Sequence, residues 1–211
     1  MPGMPFKLFA LSGSQELANE VAGRLGISLG SLFTTRFSDG EVYARFDETI
    51  RGETVVLLAQ INLPYHNLFE LLVAADAARR SSAREVVAVL PYLPHSRQER
   101  RDGERTAVTS RLMAETIELA GVDRVLTLDL HSMSIEGFFK IPIDHLQMSA
   151  EFVKDIREQY GDEPVSIELS IVDTASGEPA LKRQIQDLHQ QLLGSCCLAR
   201  LCSLLVTAWY L

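Results

Sequence analysis

From Lys7 to about Gly177, apolar runs of strand length alternate with longer amphipathic stretches. KLFAL (7–11) reads as a strand and leads into SQELANEVAGRLG (14–26). There Ser14 is placed to cap a helix whose Leu17, Val21, Ala22 and Leu25 recur at helical spacing. SLFTTRF and EVYARFD flank Ser38-Asp39-Gly40, an Asp-Gly pair that favours the positive φ values of a tight hairpin turn. ETVVLLAQI (53–61) predicts a strand buried on both faces, NLFELLVAADAARRS a helix, and EVVAVLPYL the next buried strand. AVTSRLMAETIELAG predicts a helix ended by Gly121, DRVLTLDL another buried strand, and MSAEFVKDIREQYG a helix ended by Gly161. This order predicts an α/β fold, a mostly parallel sheet flanked by helices with one inserted β-hairpin.

Two loops carry the candidate chemistry. The strand VDRVLTL delivers Asp129 and His131 at its end, and residues two apart on a strand share a face, so the pair is expected to converge on one point. Carboxylate and imidazole at a strand's carboxyl end sit where open α/β sheets leave a crevice for ligands, which suggests a metal or phosphate site. A solvated Asp beside a hydrogen-bonded His is the plainer alternative. The segment PYLPHSRQERRDGER (91–105) puts Arg97, Arg100, Arg101 and Arg105 into one loop of a chain whose net charge is −8. Planar guanidiniums pair bidentately with phosphate oxygens, so the loop suits a polyanion; alternatively it is a solvated turn balanced by Glu99, Asp102 and Glu104.

At 211 residues and 46% apolar, the chain is long enough to bury a substantial core. A pI near 5.2 argues against broad nucleic-acid or anionic-membrane binding. The first fifteen residues lack the pattern of a secretory signal, and a cytoplasmic location is expected. Cys196, Cys197 and Cys202 are the only cysteines and match no zinc spacing. After Asp187 no acidic residue occurs, and the apolar stretch there holds Arg200 near its centre, which disfavours a membrane span.

The strings LSGSQELANEVAGRLG, RFSDGEVYARFDETIRGETVVLLAQ, PYLPHSRQERRDGER and DLHSMSIEGFFKIPIDHL together resemble the ribose-phosphate pyrophosphokinase (phosphoribosyl pyrophosphate synthetase) family, from about Phe6 to Gln159. One departure is Ser134, where the family usually has Gln. The resemblance implies a phosphoribosyltransferase-like fold and Mg²⁺-dependent transfer of the β,γ-diphosphate of ATP to ribose 5-phosphate, a step in nucleotide biosynthesis. It implies an ATP site of Phe37, Asp39, Gly40 and Glu41 with Arg97 and Gln98. It implies metal binding by His131, with Asp129 orienting it or a bound water, and by Asp173, which stands in an altered spacing. Thr49, Arg51, Arg100 and Arg101 fall near the family's positions for phosphate effectors, in pockets formed between subunits.

The likeness fades after about Ile167. The expected organisation is an N-terminal α/β domain over 1–160, the start of a truncated second domain over 161–187 and a divergent apolar tail over 188–211. The family's catalytic Lys- and Arg-bearing loop and its ribose-phosphate cradle have no counterpart, so no catalytic residue is assigned and the ribose 5-phosphate site is incomplete. The chain is expected to be inactive alone and to pair with itself or a full-length homologue. A non-catalytic regulatory subunit and a nucleotide- or phosphate-sensing module are the alternatives.

Overall fold

The structure, a computed structural model, describes residues 6–154 apart from 62–65, 102, 150 and 152. The chain divides after Gln147, and among the described residues its first unit contains one sheet, one hairpin, three α-helices and a 3₁₀ turn. Strands β1 (Phe6–Ala10), β4 (Thr54–Leu58), β5 (Glu85–Leu90), β6 (Arg124–Leu128) and β7 (Ile143–Leu146) form one parallel sheet in the order β1-β4-β5-β6-β7. Strands β2 (Leu32–Arg36) and β3 (Val42–Phe46) form a separate antiparallel hairpin. The helices are α1 (Gln15–Leu25), α2 (His66–Arg80) and α3 (Thr109–Leu119). The expected alternation is therefore present, with the hairpin inserted between α1 and β4.

Burial on both faces of the sheet follows from the continuous apolar runs. β4 is buried at all five positions, as parallel strands between covering layers must be. On one face Phe9, Val55, Leu57, Val86, Ala88, Leu90 and Val125 join Leu71, Ala74, Ala75 and Ala78 of α2 and Ala114 and Ile117 of α3 in one core. Alanines at spacing three and four on α2 let the helix backbone lie close to the strands. The alternate residues Leu8, Val56, Leu58, Val89 and Leu126 face the other way and are also buried. The buried residues of α1, Ala18, Val21 and Ala22, stand outside the first core, and this helix packs against β1.

The hairpin packs one face on the molecule and leaves the other to solvent. Leu32, Ala44 and Phe46 lie against the core, and the Phe46 ring meets Phe9 edge-on at 4.9 Å. Phe33, Phe37 and Tyr43 are exposed on the opposite face, with Tyr43 6.4 Å from Phe33 and 6.0 Å from Phe37, and Arg45 over the Phe33 ring.

Three sequence-based expectations change in detail, and one strand is not foreseen. Ser14 occupies the N-cap position of α1 but makes no side-chain capping bond: its Oγ instead accepts the Gln60 backbone N–H at 2.7 Å, fastening the loop after β1 to the end of β4. Only Gly40 of the Asp-Gly pair has positive φ, at 94°. Gly40 N–H donates to Phe37 O and Phe37 N–H to Glu41 O, which makes a three-residue loop ending in a left-handed glycine rather than a two-residue turn. β6 stops at Leu128, and Asp129 has φ of 38°, so Asp129 and His131 are not two positions on one strand face. β7 leaves no clear signal in the hydrophobic pattern, because Pro142 precedes only four strand residues. Gly121 does end α3, at φ of 97°. A Cβ there would fall 2.6 Å from Arg79 Cγ, whose guanidinium donates to Gly121 O and pairs with Asp123. The helix expected over 148–161 lies largely outside the described residues, as do Asp173 and the 188–211 tail.

Candidate functional site

β5 and β6 are neighbours running the same way, so the loops that follow them, 91–108 and 129–142, leave the sheet at one edge. That edge is where parallel sheets open a crevice. The β5 loop is anchored from below by buried Leu93 and Ser96, with Ser96 Oγ donating to Leu93 O. It is fixed to α3 by Ser110, whose Oγ donates to His95 O at 2.6 Å and whose N–H donates to Gln98 O at 3.2 Å. A second bond from Gln98 N–H to His95 O closes the turn that presents Arg97 and Gln98 to solvent. Arg100, Arg101 and Arg105 are exposed on the same loop.

The β6 loop begins with Asp129, whose N–H extends the sheet by donating to Leu146 O at 2.9 Å. His131 follows, exposed, and a 3₁₀ turn over Met133–Phe138 seats Ile135 in the core. The two loops are joined directly. Ser134 Oγ donates to Glu99 Oε2 at 2.9 Å, and Ser132 Oγ lies 2.8 Å from Ser134 Oγ. The hydroxyls of Ser132 and then Ser134, against opposing burial, hold the Glu99 carboxyl below its ordinary range. Among the described residues, three of the four non-glycine positions with positive φ, His95, Arg105 and Asp129, lie in these two loops. Such backbone costs of order 1 kcal/mol or more each and gathers where a fold presents side chains to a ligand.

The other expected residues fall elsewhere. Phe37, Asp39, Gly40 and Glu41 form the exposed hairpin turn, where Asp39 Oδ1 accepts the Glu41 N–H at 3.0 Å. The hairpin runs beside β1: Gly30 N–H bonds Leu8 O, and Thr34 Oγ1 meets Ser12 Oγ at 3.3 Å just past the carboxyl end of β1. The turn thus projects from the same end of the sheet as Arg97. Among the described residues, however, no hydrogen bond, ion pair or ring contact joins it to Arg97 or Gln98. Thr49 and Arg51 lie at the opposite end, before β4, where Lys7 bonds Thr49 O and pairs with Glu48. Arg100 and Arg101 therefore do not share a pocket with them inside one chain. Glu99, Glu136 and His145 carry no signal in the sequence pattern; Glu99 reads there as one of three charges balancing arginines, and only the sheet order reveals its position opposite Ser134.

No group of three or more candidate metal ligands occurs among the described residues. The donor set beside His131 nevertheless fits Mg²⁺, which takes one or two carboxylates and keeps several waters. Asp129 stands two residues before His131 at the strand end, where its carboxylate could order a bound water, and the exposure of both residues leaves room for one. Among the described residues no helix is long and apolar enough to cross a membrane.

Residues 6–121 match the family described as the N-terminal domain of ribose phosphate pyrophosphokinase. Ribose-phosphate pyrophosphokinase 1 of Streptococcus pyogenes serotype M1 is 46% identical over 156 residues, 74% of this chain and 48% of the relative. Its counterpart from Streptococcus pneumoniae serotype 4 is 47% identical over the same length, again 74% of this chain and 48% of the relative. Among solved structures, phosphoribosylpyrophosphate synthetase from Mycobacterium smegmatis superposes with a TM-score of 0.71 at 35% identity, covering 74% of this chain and 52% of that one. The chain thus spans about half the length of the curated relatives it matches.

Proposed function

Since this chain belongs to the ribose-phosphate pyrophosphokinase family, we propose that its first unit is the nucleotide-binding half of a Mg²⁺-dependent diphosphokinase that acts on ATP and ribose 5-phosphate. The observation that carries this reading is the junction of the β5 and β6 loops, which sets the turn bearing Arg97 and Gln98 beside the turn bearing His131 at one sheet edge. Arg97 and Gln98 would meet the nucleotide, the guanidinium plane stacking on a purine or pairing with phosphate oxygens. Phe37 offers an exposed aromatic face for the base, and Asp39, Gly40 and Glu41 offer carboxylate and backbone acceptors for an exocyclic amine. Bound Mg²⁺ would neutralise phosphate charge at His131 and Asp173, with Asp129 orienting His131 or a bound water. Thr49 and Arg51 at one end of the sheet and Arg100 and Arg101 at the other suit a phosphate effector held between copies.

In the reaction the anomeric oxygen of the sugar phosphate attacks the β-phosphorus of ATP, the bond between α- and β-phosphates breaks, and the nucleoside monophosphate departs. Such transfers depend on positioning and on charge neutralisation more than on covalent chemistry. A chain that spans about half of its relatives supplies the nucleotide side, and we propose that these 211 residues alone do not turn over. The exposed Phe33 and Tyr43 on the hairpin favour association with a second copy or a longer homologue, in the cytoplasm.

Substitution at the two ends of the sheet tests the assignment. Arg97→Ala should weaken ATP binding by calorimetry, whereas Arg51→Ala, at the opposite end, should leave it close to the parent value. Equal losses would remove Arg97 from the nucleotide site.

A further inference from the structure

One buried, ionisable side chain at this edge has no part in the nucleotide or metal chemistry. His145, on β7, has a side chain only 5% exposed, yet both of its ring nitrogens are engaged. Leu130 N–H donates to Nε2 at 2.9 Å, and Nδ1 lies 3.2 Å from Glu136 Oε1. A backbone N–H can only donate, so Nε2 must be the unprotonated acceptor. In the neutral ring the proton then resides on Nδ1 and is given to the carboxylate. Leu130 is the residue between Asp129 and His131. The imidazole therefore grips the backbone of the presenting turn at its centre, while Glu136, in the 3₁₀ turn beyond, fixes the ring's orientation.

The need for such a grip is visible in the backbone. The β6–β7 ladder ends when Asp129 N–H meets Leu146 O, and Asp129 immediately turns to a φ of 38°. A non-glycine residue holds that conformation only where its surroundings over-determine it. The Leu130 amide, leaving the sheet, would otherwise be an orphan donor in a partly buried position. His145 satisfies it and so sets the direction in which the chain carries His131 out of the sheet.

We propose that His145, as the Nδ1–H tautomer, is the positioning residue of the His131 turn, acting through the Leu130 amide and oriented by Glu136. Its link to metal binding rests on the proposed role of His131, but the hydrogen bond itself can be read without any metal. The test uses the full chain labelled with ¹⁵N. The side-chain nitrogen resonances of His145 should report a protonated Nδ1 and a bare Nε2. Leu130 amide exchange should be slow in the parent chain and roughly tenfold faster in His145→Phe, the consequence of one lost hydrogen bond. His145→Gln, whose amide oxygen can stand in for Nε2, should restore slow exchange. Mn²⁺ broadening of the His131 resonances should weaken in His145→Phe and recover in His145→Gln.

A protonated Nε2 in the parent chain would overturn the proposal, whether or not the Phe variant folds. So would a Leu130 amide that exchanges at the parent rate in His145→Phe, or a Gln variant no better protected than the Phe variant. A parent chain in which Mn²⁺ leaves His131 untouched while Leu130 behaves as stated would sink the metal role of His131 and still support His145 as the holder of the turn.

Discussion

Ser134 Oγ donates to Glu99 Oε2 at 2.9 Å, and this bond connects the loop after β5 with the loop after β6, 35 residues apart in sequence. It joins the turn that presents Arg97 and Gln98 to the turn that presents His131. Ser134 is also the position at which this chain departs from the usual residue of the DLH…GFF signature. A short hydroxyl suffices at this position because the neighbouring Ser132 hydroxyl lies 2.8 Å away and the two converge on one carboxylate.

Removing either end of that bond should loosen the two loops without unfolding the unit, since both residues lie at the surface and outside the core. Ser134→Ala and Glu99→Ala are each expected to weaken Mg²⁺–ATP binding about two- to fivefold, the scale of one polar contact. The double variant should lose no more than the larger single loss, as expected for partners in one interaction. Additive losses in calorimetric titrations would show that the two act separately.

Acid should weaken the other end of the sheet. Glu48 accepts from Lys7 and from the Ser31 N–H, and the Lys7 hydrogen bond, ahead of opposing burial, holds its carboxyl below the usual range. A depressed folded-state value means that the contribution is complete above the unfolded carboxylate pKa, about 4.3. It is lost as pH falls through the lower folded value. Urea midpoints measured from pH 6 down to 3 should drop less steeply in Glu48→Gln than in the parent. Parallel curves would show that this pair adds nothing to acid sensitivity.

Thr127 on β6 is fully buried, and among the described residues its Oγ1 has no hydrogen-bond partner. Valine has the same shape and no hydroxyl to desolvate, so Thr127→Val should stabilise the unit by about 1 kcal/mol. Thermal unfolding followed by circular dichroism should show the midpoint rise by a few degrees. A fall would mean that the hydroxyl is satisfied in solution, for instance by a buried water.

The sheet is legible because parallel strands buried on both faces are written as unbroken apolar runs, as in TVVLL and EVVAVL. α3 is legible because Met113, Ala114 and Ile117 fall on one face and Gly121 follows at positive φ. β7 is hidden by its length and by Pro142, and its contribution lies in His145, whose partners Leu130 and Glu136 sit fifteen and nine positions away. Ser14 shows the same limit: a serine before a helix reads as a cap, but the sheet brings the Gln60 N–H to its hydroxyl. Local spacing records which residues line a strand or helix. The pairing across loops that assembles the site depends on the order β4-β5-β6-β7, which no single segment encodes.

If the first unit binds nucleotide at the junction of the β5 and β6 loops, titration of the 211-residue chain with ATP in the presence of Mg²⁺ should reveal it. Calorimetry should give saturable binding with a Kd below about 1 mM, equivalent to roughly −4 kcal/mol. That binding should fall in Arg97→Ala and lose its Mg²⁺ dependence in His131→Ala, while added ribose 5-phosphate yields no product. A monodisperse, folded chain that shows no heat of binding at millimolar ATP, or binds equally well without Arg97 and His131, would place the nucleotide elsewhere or nowhere on this chain.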